Sequence, residues 1–266
     1  MLDRFNRSIN YLRISVTDRC NLRCTYCMPE EGIRLLRHED ILSFETIAEV
    51  VKEAVGLGID KVRITGGEPL VRKGVLSLVE MIAGIDGIRD LAMTSNGILL
   101  KEYAKPLKAA GLHRINISLD TMDEEKYSRI TRGGWLSSVL TGIDAALEAG
   151  LAPVKINCVI NETSGETDAR AVKVFCEKKN LKLRYIRQMN LGNGCFSVVQ
   201  GGDGGNCPNC NRLRLTANGM VKPCLFDQVE FSINEWGIRR ALLMALKYKP
   251  VRGTFNSIDQ FNFLGG

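Results

Sequence analysis

The sequence predicts an α/β fold, an incomplete (β/α)6 barrel with a small C-terminal region attached. Three observations carry this reading. Short runs rich in β-branched residues alternate with segments of helical apolar spacing, the pattern of a parallel sheet with helices outside it. Six such strand runs are present, too few for a closed eight-stranded barrel. After Met189 the alternation stops and a glycine-rich stretch follows.

In chain order the strands are expected at 11–17 (YLRISVT), 61–66 (KVRITG), 90–95 (DLAMTS), 114–120 (RINISLD), 154–160 (VKINCVI) and 183–189 (LRYIRQM). Helical spacing marks 46–58, 75–85 and 136–150, and several of these segments stop at a glycine, the usual helix terminator. The stretch 190–206 has no period and reads as a connection. Beyond it, RLRLTANGMVKPC (212–224) alternates around Asn218-Gly219, which predicts a type I′ hairpin. A helix-like stretch (233–247) and an extended tail complete the chain. The organisation expected is therefore 1–189 as the partial barrel, 190–206 as linker, and 207–266 as a second region packed on the barrel mouth.

The composition is that of an ordinary globular protein, 45% apolar and 25% charged in 266 residues. No apolar run reaches the roughly 18 residues of a membrane span, and the first ten residues lack the layout of a secretory signal. A cytoplasmic protein is expected, in which the nine cysteines stay reduced and serve as metal ligands more readily than as disulfides. Cys158 and Cys176 read as small buried apolar residues. The net charge of +6 favours an anionic ligand only weakly.

DRCNLRCTYCMP places Cys20, Cys24 and Cys27 within eight positions, in the loop after the first strand. Thiolates at this density suit an iron–sulfur cluster, although zinc accepts the same ligands. In parallel α/β folds, ligands bind beyond the carboxyl ends of the strands. There the chain also places GGEP (66–69), Thr94 to Asn96 and Ser118 to Asp120. A second set, Cys207, Cys210 and Cys224, follows the linker. Its nearest further thiol is Cys195, and His38 and His113 lie far away in sequence. Polar heads on the inward phase of strands, Arg13, Lys61, Arg63, Lys155, Arg184, Arg212 and Arg214, require a charged occupant, since a buried unpaired cation is unfavourable. Guanidinium forks suit phosphate oxygens.

The CxxxCxYC spacing with Tyr26, followed by GGEPL at 66–70, resembles the radical S-adenosylmethionine superfamily. That resemblance implies a [4Fe–4S] cluster on Cys20, Cys24 and Cys27. Its open iron would bind S-adenosylmethionine, cleaved to a 5′-deoxyadenosyl radical. Tyr26, Gly67, Glu68, Thr94, Ser118 and Met189 would then surround that cofactor. CPNCNRLRLT and the terminal Gly265-Gly266 resemble one branch of the superfamily, the GTP 3′,8-cyclases of molybdenum cofactor biosynthesis. This implies a second [4Fe–4S] cluster on Cys207, Cys210 and Cys224, with the purine docked on its open iron. GTP would lie on Arg13, Lys61, Arg63, Lys155, Arg184, Arg212 and Arg214. The radical would remove the ribose 3′ hydrogen, and the carbon radical would attack C8. Arg13, Arg212, Arg214, Gly265 and Gly266 would serve the reaction itself.

The partners implied are GTP, an electron donor such as flavodoxin or ferredoxin, a downstream pterin synthase and a second copy in a homodimer. Neither nucleic acid nor membrane is expected. The pattern departs from the cyclases at the short 190–206 connection, where they carry a longer insert, at Arg187 and at Arg252-Gly253. Cys195 would close the second cluster if it joined it. The short connection permits a second reading, a related radical enzyme acting on a peptide or other small molecule; a third, of a different class, is a zinc module on nucleic acid. The latter lacks the basic–aromatic clustering such a surface needs.

Overall fold

A computed structural model of the chain describes residues 1–257 and 261–264, the side chain of Asn262 excepted. Its framework is one nine-stranded sheet in the order β6-β5-β4-β3-β2-β1-β7-β8-β9. The first six strands are β1 (Tyr11–Ser15), β2 (Lys61–Thr65), β3 (Asp90–Ser95), β4 (Arg114–Ser118), β5 (Lys155–Ile160) and β6 (Lys182–Arg187), all parallel to their neighbours. Each falls within two residues of its sequence expectation. The helices between them are α1 (Phe44–Gly56), α2 (Val75–Ala83), α3 (Leu100–Ala109), α4 (Glu124–Thr131), α5 (Leu136–Glu148) and α6 (Thr167–Lys178). Ser43 caps α1 by accepting from the Thr46 N–H, and Asp123 caps α4 by accepting from Lys126 N–H.

In the region after residue 207, Phe226 and Phe261 line two cavities beside Met189, but the remainder departs from packing on the barrel mouth alone. It extends the sheet from the other edge. β7 (Arg212–Leu215) runs parallel to β1, and β8 (Met220–Lys222) and β9 (Phe231–Ser232) add antiparallel strands. Leu213, Leu215, Val221, Phe231, Ala241 and Leu242 join the same core as Ile14, Ile64 and Ile117. The reason is the alternation of this segment: its apolar phase has too little area for a core of its own and completes the existing one. The helical stretch at 233–247 is broken into α7 (Ile233–Trp236) and α8 (Ile238–Lys247) at Gly237, whose φ is 74°. A short α9 (Phe261–Leu264) follows.

The β7–β8 hairpin closes with a different turn from the type I′ expectation. Among the described residues only Asn6, Arg132 and Asn180 are non-glycines with positive φ, so Asn218 is right-handed and Gly219 alone takes φ 88°. Gly219 N–H donates to Thr216 O, and Met220 N–H donates to the Thr216 hydroxyl at 2.9 Å. The threonine therefore holds a longer turn ending in a left-handed glycine. Among the described residues no helix is long and apolar enough to cross a membrane.

Helices α3 and α5 pack through Gly142, where an added Cβ would stand 2.2 Å from Gly97 O. Gly142→Ala is expected to lower the unfolding free energy by about 1–3 kcal/mol, with an unchanged denaturant slope in urea. Gly56→Ala, with nothing within 4 Å of the new methyl, is the control and should not destabilise.

Candidate active site

The loop after β1 carries the first cysteine set and is docked on three sides. Arg23 N–H and Thr25 N–H donate to the carbonyls of Thr131 and Ile130 at the end of α4. The Arg132 guanidinium donates to the carbonyls of Arg23 and Met28, each at 2.9 Å. The Tyr26 hydroxyl donates to Asp120 at 2.7 Å, and that carboxylate also accepts from Val159 N–H on β5. The two glycines after β2 form the third side. A Cβ on Gly67 would lie 2.3 Å from Arg19 O, and Gly67 N–H donates to Thr17 O at 2.7 Å. What these glycines approach so closely is the cysteine loop's own backbone, and their outer faces line a cavity.

That first cavity, of about 170 Å³, is lined by Cys20, Cys24, Cys27, Tyr26, Gly67, Thr94, Ser118 and Met189 among others. The sequence-predicted cofactor residues are thus brought together, with one exception. Glu68 lies behind the wall, 1% exposed, and its carboxylate accepts from Leu70 N–H, Ser95 hydroxyl and Asn96 N–H. It organises the 94–97 turn. Burial pushes its carboxyl up to about 7, against the opposing pull of those donors.

The second cavity, of about 280 Å³, contains Cys207, Cys210 and Cys224 together with all seven predicted cations. Strand register explains the gathering. Arg13 pairs with Arg63 on one side and Arg214 on the other; Tyr11 likewise sits between Lys61 and Arg212. Asn116 on β4 pairs with Lys155, and Asn157 with Arg184. Because side chains alternate with period 2, one in-register row puts every member on the same face. Burial, then repulsion from Arg184, Arg114 and Arg63, pushes Lys155 down to about 8. Burial, then Arg212, pushes Arg214 down to about 10. Both shifts describe a concentration of positive charge suited to a polyanion.

Several residues in or beside this cavity escaped the sequence reading. Arg114 lies on the same phase as Ser118 and is paired with Asp90, whose Oδ1 accepts from its Nε at 2.8 Å. That alternation was the available signal. The buried Asn116 amide, oriented by its partners, accepts from Arg184 at 3.1 Å and from Arg63. Lys249 is 1% exposed, donating to the carbonyls of Arg212 and Pro223 at 2.7 and 2.6 Å. No sequence period announces it. Arg7, with its buried partner Asp3, donates to Cys207 O at 2.9 Å and so ties the N-terminus to the second cysteine set.

Both donor sets fit iron–sulfur clusters. All nine cysteines are free thiols. Among the described residues no His, Cys, Asp or Glu group converges tightly enough to hold a single metal ion, whereas a cluster receives its thiolates at separate corners. In the first set burial pushes Cys20 up to about 11, Cys24 to about 12 and Cys27 higher still. Burial favours the neutral thiols there, and the positive charge of bound irons would stabilise them as thiolates. In the second set burial raises Cys210, but Lys249 and Arg212 bring it down to about 7. Cys195 is exposed and absent from the second cavity's lining.

The departures noted in the sequence also find places. Residues 190–206 wall the second cavity: Phe196 stacks on Phe226 at 4.4 Å, and Gly202 to Asn206 line it beside Arg184 and Arg212. Arg187 lines the first cavity and donates to Asn161 O. Arg252 covers the Phe196 ring, and a Cβ on Gly253 would come within 3.0 Å of Cys224 Sγ, so the smallest residue fits there. Gly265 and Gly266 lie outside the described residues. The residue before them, Leu264, is buried with its carbonyl accepting from Arg214 at 3.3 Å.

Residues 14–173 match the family described as the Radical SAM superfamily. A GTP 3′,8-cyclase of Thermodesulfovibrio yellowstonii is 43% identical over 304 aligned residues, covering 94% of this chain and 94% of that protein. That of Petrotoga mobilis is 39% identical, covering 98% of this chain and 97% of its own. The aligned length exceeds the 266 residues of this chain, so these relatives carry residues that it lacks. Among solved structures, Streptococcus suis SuiB bound to precursor peptide SuiA superposes with a TM-score of 0.68 at 16% identity. The match covers 93% of this chain and 66% of SuiB, a likeness of fold.

Replacing Cys20, Cys24 and Cys27 by Ser, or Cys207, Cys210 and Cys224 by Ser, is expected to halve the iron bound after anaerobic reconstitution. Cys195→Ser is expected to leave it unchanged. Iron and sulfide analysis checks this; a loss of iron in Cys195→Ser would place that thiol on the second cluster.

Proposed function

The chain belongs to the radical SAM superfamily and, within it, to the GTP 3′,8-cyclase family, and we propose that it converts GTP to (8S)-3′,8-cyclo-7,8-dihydroguanosine 5′-triphosphate, the first step toward a molybdopterin or tungstopterin cofactor. One observation carries this reading beyond the family relationship. The two cysteine-lined cavities share a wall made of Asn157, Ile186 and Met189, and only the second holds the row of cations.

Cys20, Cys24 and Cys27 hold the first cluster, and Cys207, Cys210 and Cys224 the second. When bound, the first cluster with S-adenosylmethionine supplies a 5′-deoxyadenosyl radical, an oxidant for an unactivated C–H bond. The work of the chain is positioning. Gly67, Thr94, Ser118, Met189 and the Tyr26 backbone surround the cofactor in the smaller cavity. Glu68 acts behind them by fixing the 94–97 turn. Lys61, Arg63, Lys155 and Arg184 take the triphosphate, and Asn116 anchors the Arg63 and Arg184 forks by accepting from both. Arg13, Arg212 and Arg214 lie along the row toward the second cysteine set. Arg214 also donates to the Leu264 carbonyl at 3.3 Å. The 190–206 connection excludes water from the side that a longer insert covers in relatives. A low-potential electron donor such as flavodoxin or ferredoxin serves the first cluster, a pterin synthase takes the product, and two chains assemble as a homodimer.

The test is anaerobic turnover. Protein reconstituted with iron and sulfide, given reductant, S-adenosylmethionine and GTP, is expected to form 5′-deoxyadenosine together with a cyclised product of the same mass as GTP. Mass spectrometry with chromatography separates the two isomers. Deoxyadenosine formed while GTP stays untouched would move the substrate elsewhere within the superfamily.

A further inference from the structure

Of the three residues common to both cavities, Asn157 alone ends in a polar group. Its Oδ1 is shut off from solvent and has no hydrogen-bond partner. Orphaned acceptors of this kind are rare in folded proteins and mark the place of a missing donor. Asn157 stands in register between Ser118 on β4, which lines the first cavity, and Arg184 on β6, which lines the second. It is one pleat beyond Lys155 on the same face. A nucleotide whose phosphates lie on these cations, and whose base reaches toward Cys207, Cys210 and Cys224, has only its sugar left to pass the junction. Ribose hydroxyls both donate and accept, and a carboxamide is their complement.

We propose that Asn157 binds the ribose hydroxyls of the nucleotide at the junction of the two cavities, and that this contact makes the site select ribonucleotides over their deoxy counterparts. The inference rests on the cyclase reading and adds a specificity residue to it. On binding, the carboxamide turns about its Cβ–Cγ bond so that a hydroxyl of the sugar donates to Oδ1, which satisfies the orphan and fixes the sugar face turned toward the first cavity. Loss of that hydroxyl leaves a buried acceptor unpaired again, which is how polar sites reject analogues lacking one group.

The experiment is equilibrium binding to the reconstituted holoenzyme without reductant, using GTP, 2′,3′-dideoxy-GTP and S-adenosylmethionine. The unaltered protein is expected to bind GTP about tenfold more tightly than the dideoxy analogue, the size of one good buried hydrogen bond. In Asn157→Ala the two nucleotides should converge to within about twofold, with S-adenosylmethionine binding unchanged. Asn157→Asp, which keeps the size and the acceptor, should retain the gap. An undiminished gap in Asn157→Ala would overturn the inference while leaving the cyclase reading intact. So would a loss confined to S-adenosylmethionine, which would assign the amide to the other cavity's ribose. Failure of the unaltered protein to bind GTP would overturn the cyclase reading and the inference with it.

Discussion

The site depends on one stretch of backbone pairing, that of Tyr11–Ile14 with Arg212–Leu215. The two segments are some two hundred residues apart in sequence, and their hydrogen bonds make β7 a seventh parallel strand at the edge opened by β1. The pairing fixes Arg214 beside Arg13 and Arg212 beside Tyr11. It also brings Cys210, two residues before the strand, and Cys224, just after its hairpin partner, to the cavity whose other walls are β2, β4, β5 and β6. A slip of one residue would turn both arginines to the opposite face. Arg7 and Lys249 pin this junction from outside the sheet, through carbonyls at Cys207, Arg212 and Pro223.

Electrostatics then divides the two cavities. The first encloses buried thiols with the carboxylates of Glu68 and Asp120 behind them, and no cation lowers Cys20, Cys24 or Cys27. The second encloses cations that depress one another. The second pocket therefore calls for negative charge. A polyanionic nucleotide meets that demand.

Much of this was legible in the sequence because two local signals are strong. Period-2 runs located β1 to β6 and put Arg13, Lys61, Arg63, Lys155 and Arg184 on one phase, and register did the rest. Cysteine spacing located both donor sets. What escaped depends on contacts distant in sequence. The pairing of β7 with β1 is not written in either segment, so the entry of residues 212–215 into the barrel's own sheet is not legible locally. Lys249 lies just past the end of an amphipathic helix, where a lysine is ordinarily solvated, and its burial rests on the carbonyls of Arg212 and Pro223 and on Cys210. The hairpin turn was misread because Thr216 supplies a hydroxyl that competes with the tighter turn Asn-Gly would form.

The proposed reaction requires the two cavities to meet at the nucleotide's sugar, within reach of the cofactor bound on the other side. The most direct measurement is anaerobic turnover with GTP carrying deuterium at C3′, followed by mass analysis of the 5′-deoxyadenosine released. Deuterium in the deoxyadenosine is the predicted result. Cyclised product accompanied by unlabelled deoxyadenosine would contradict it.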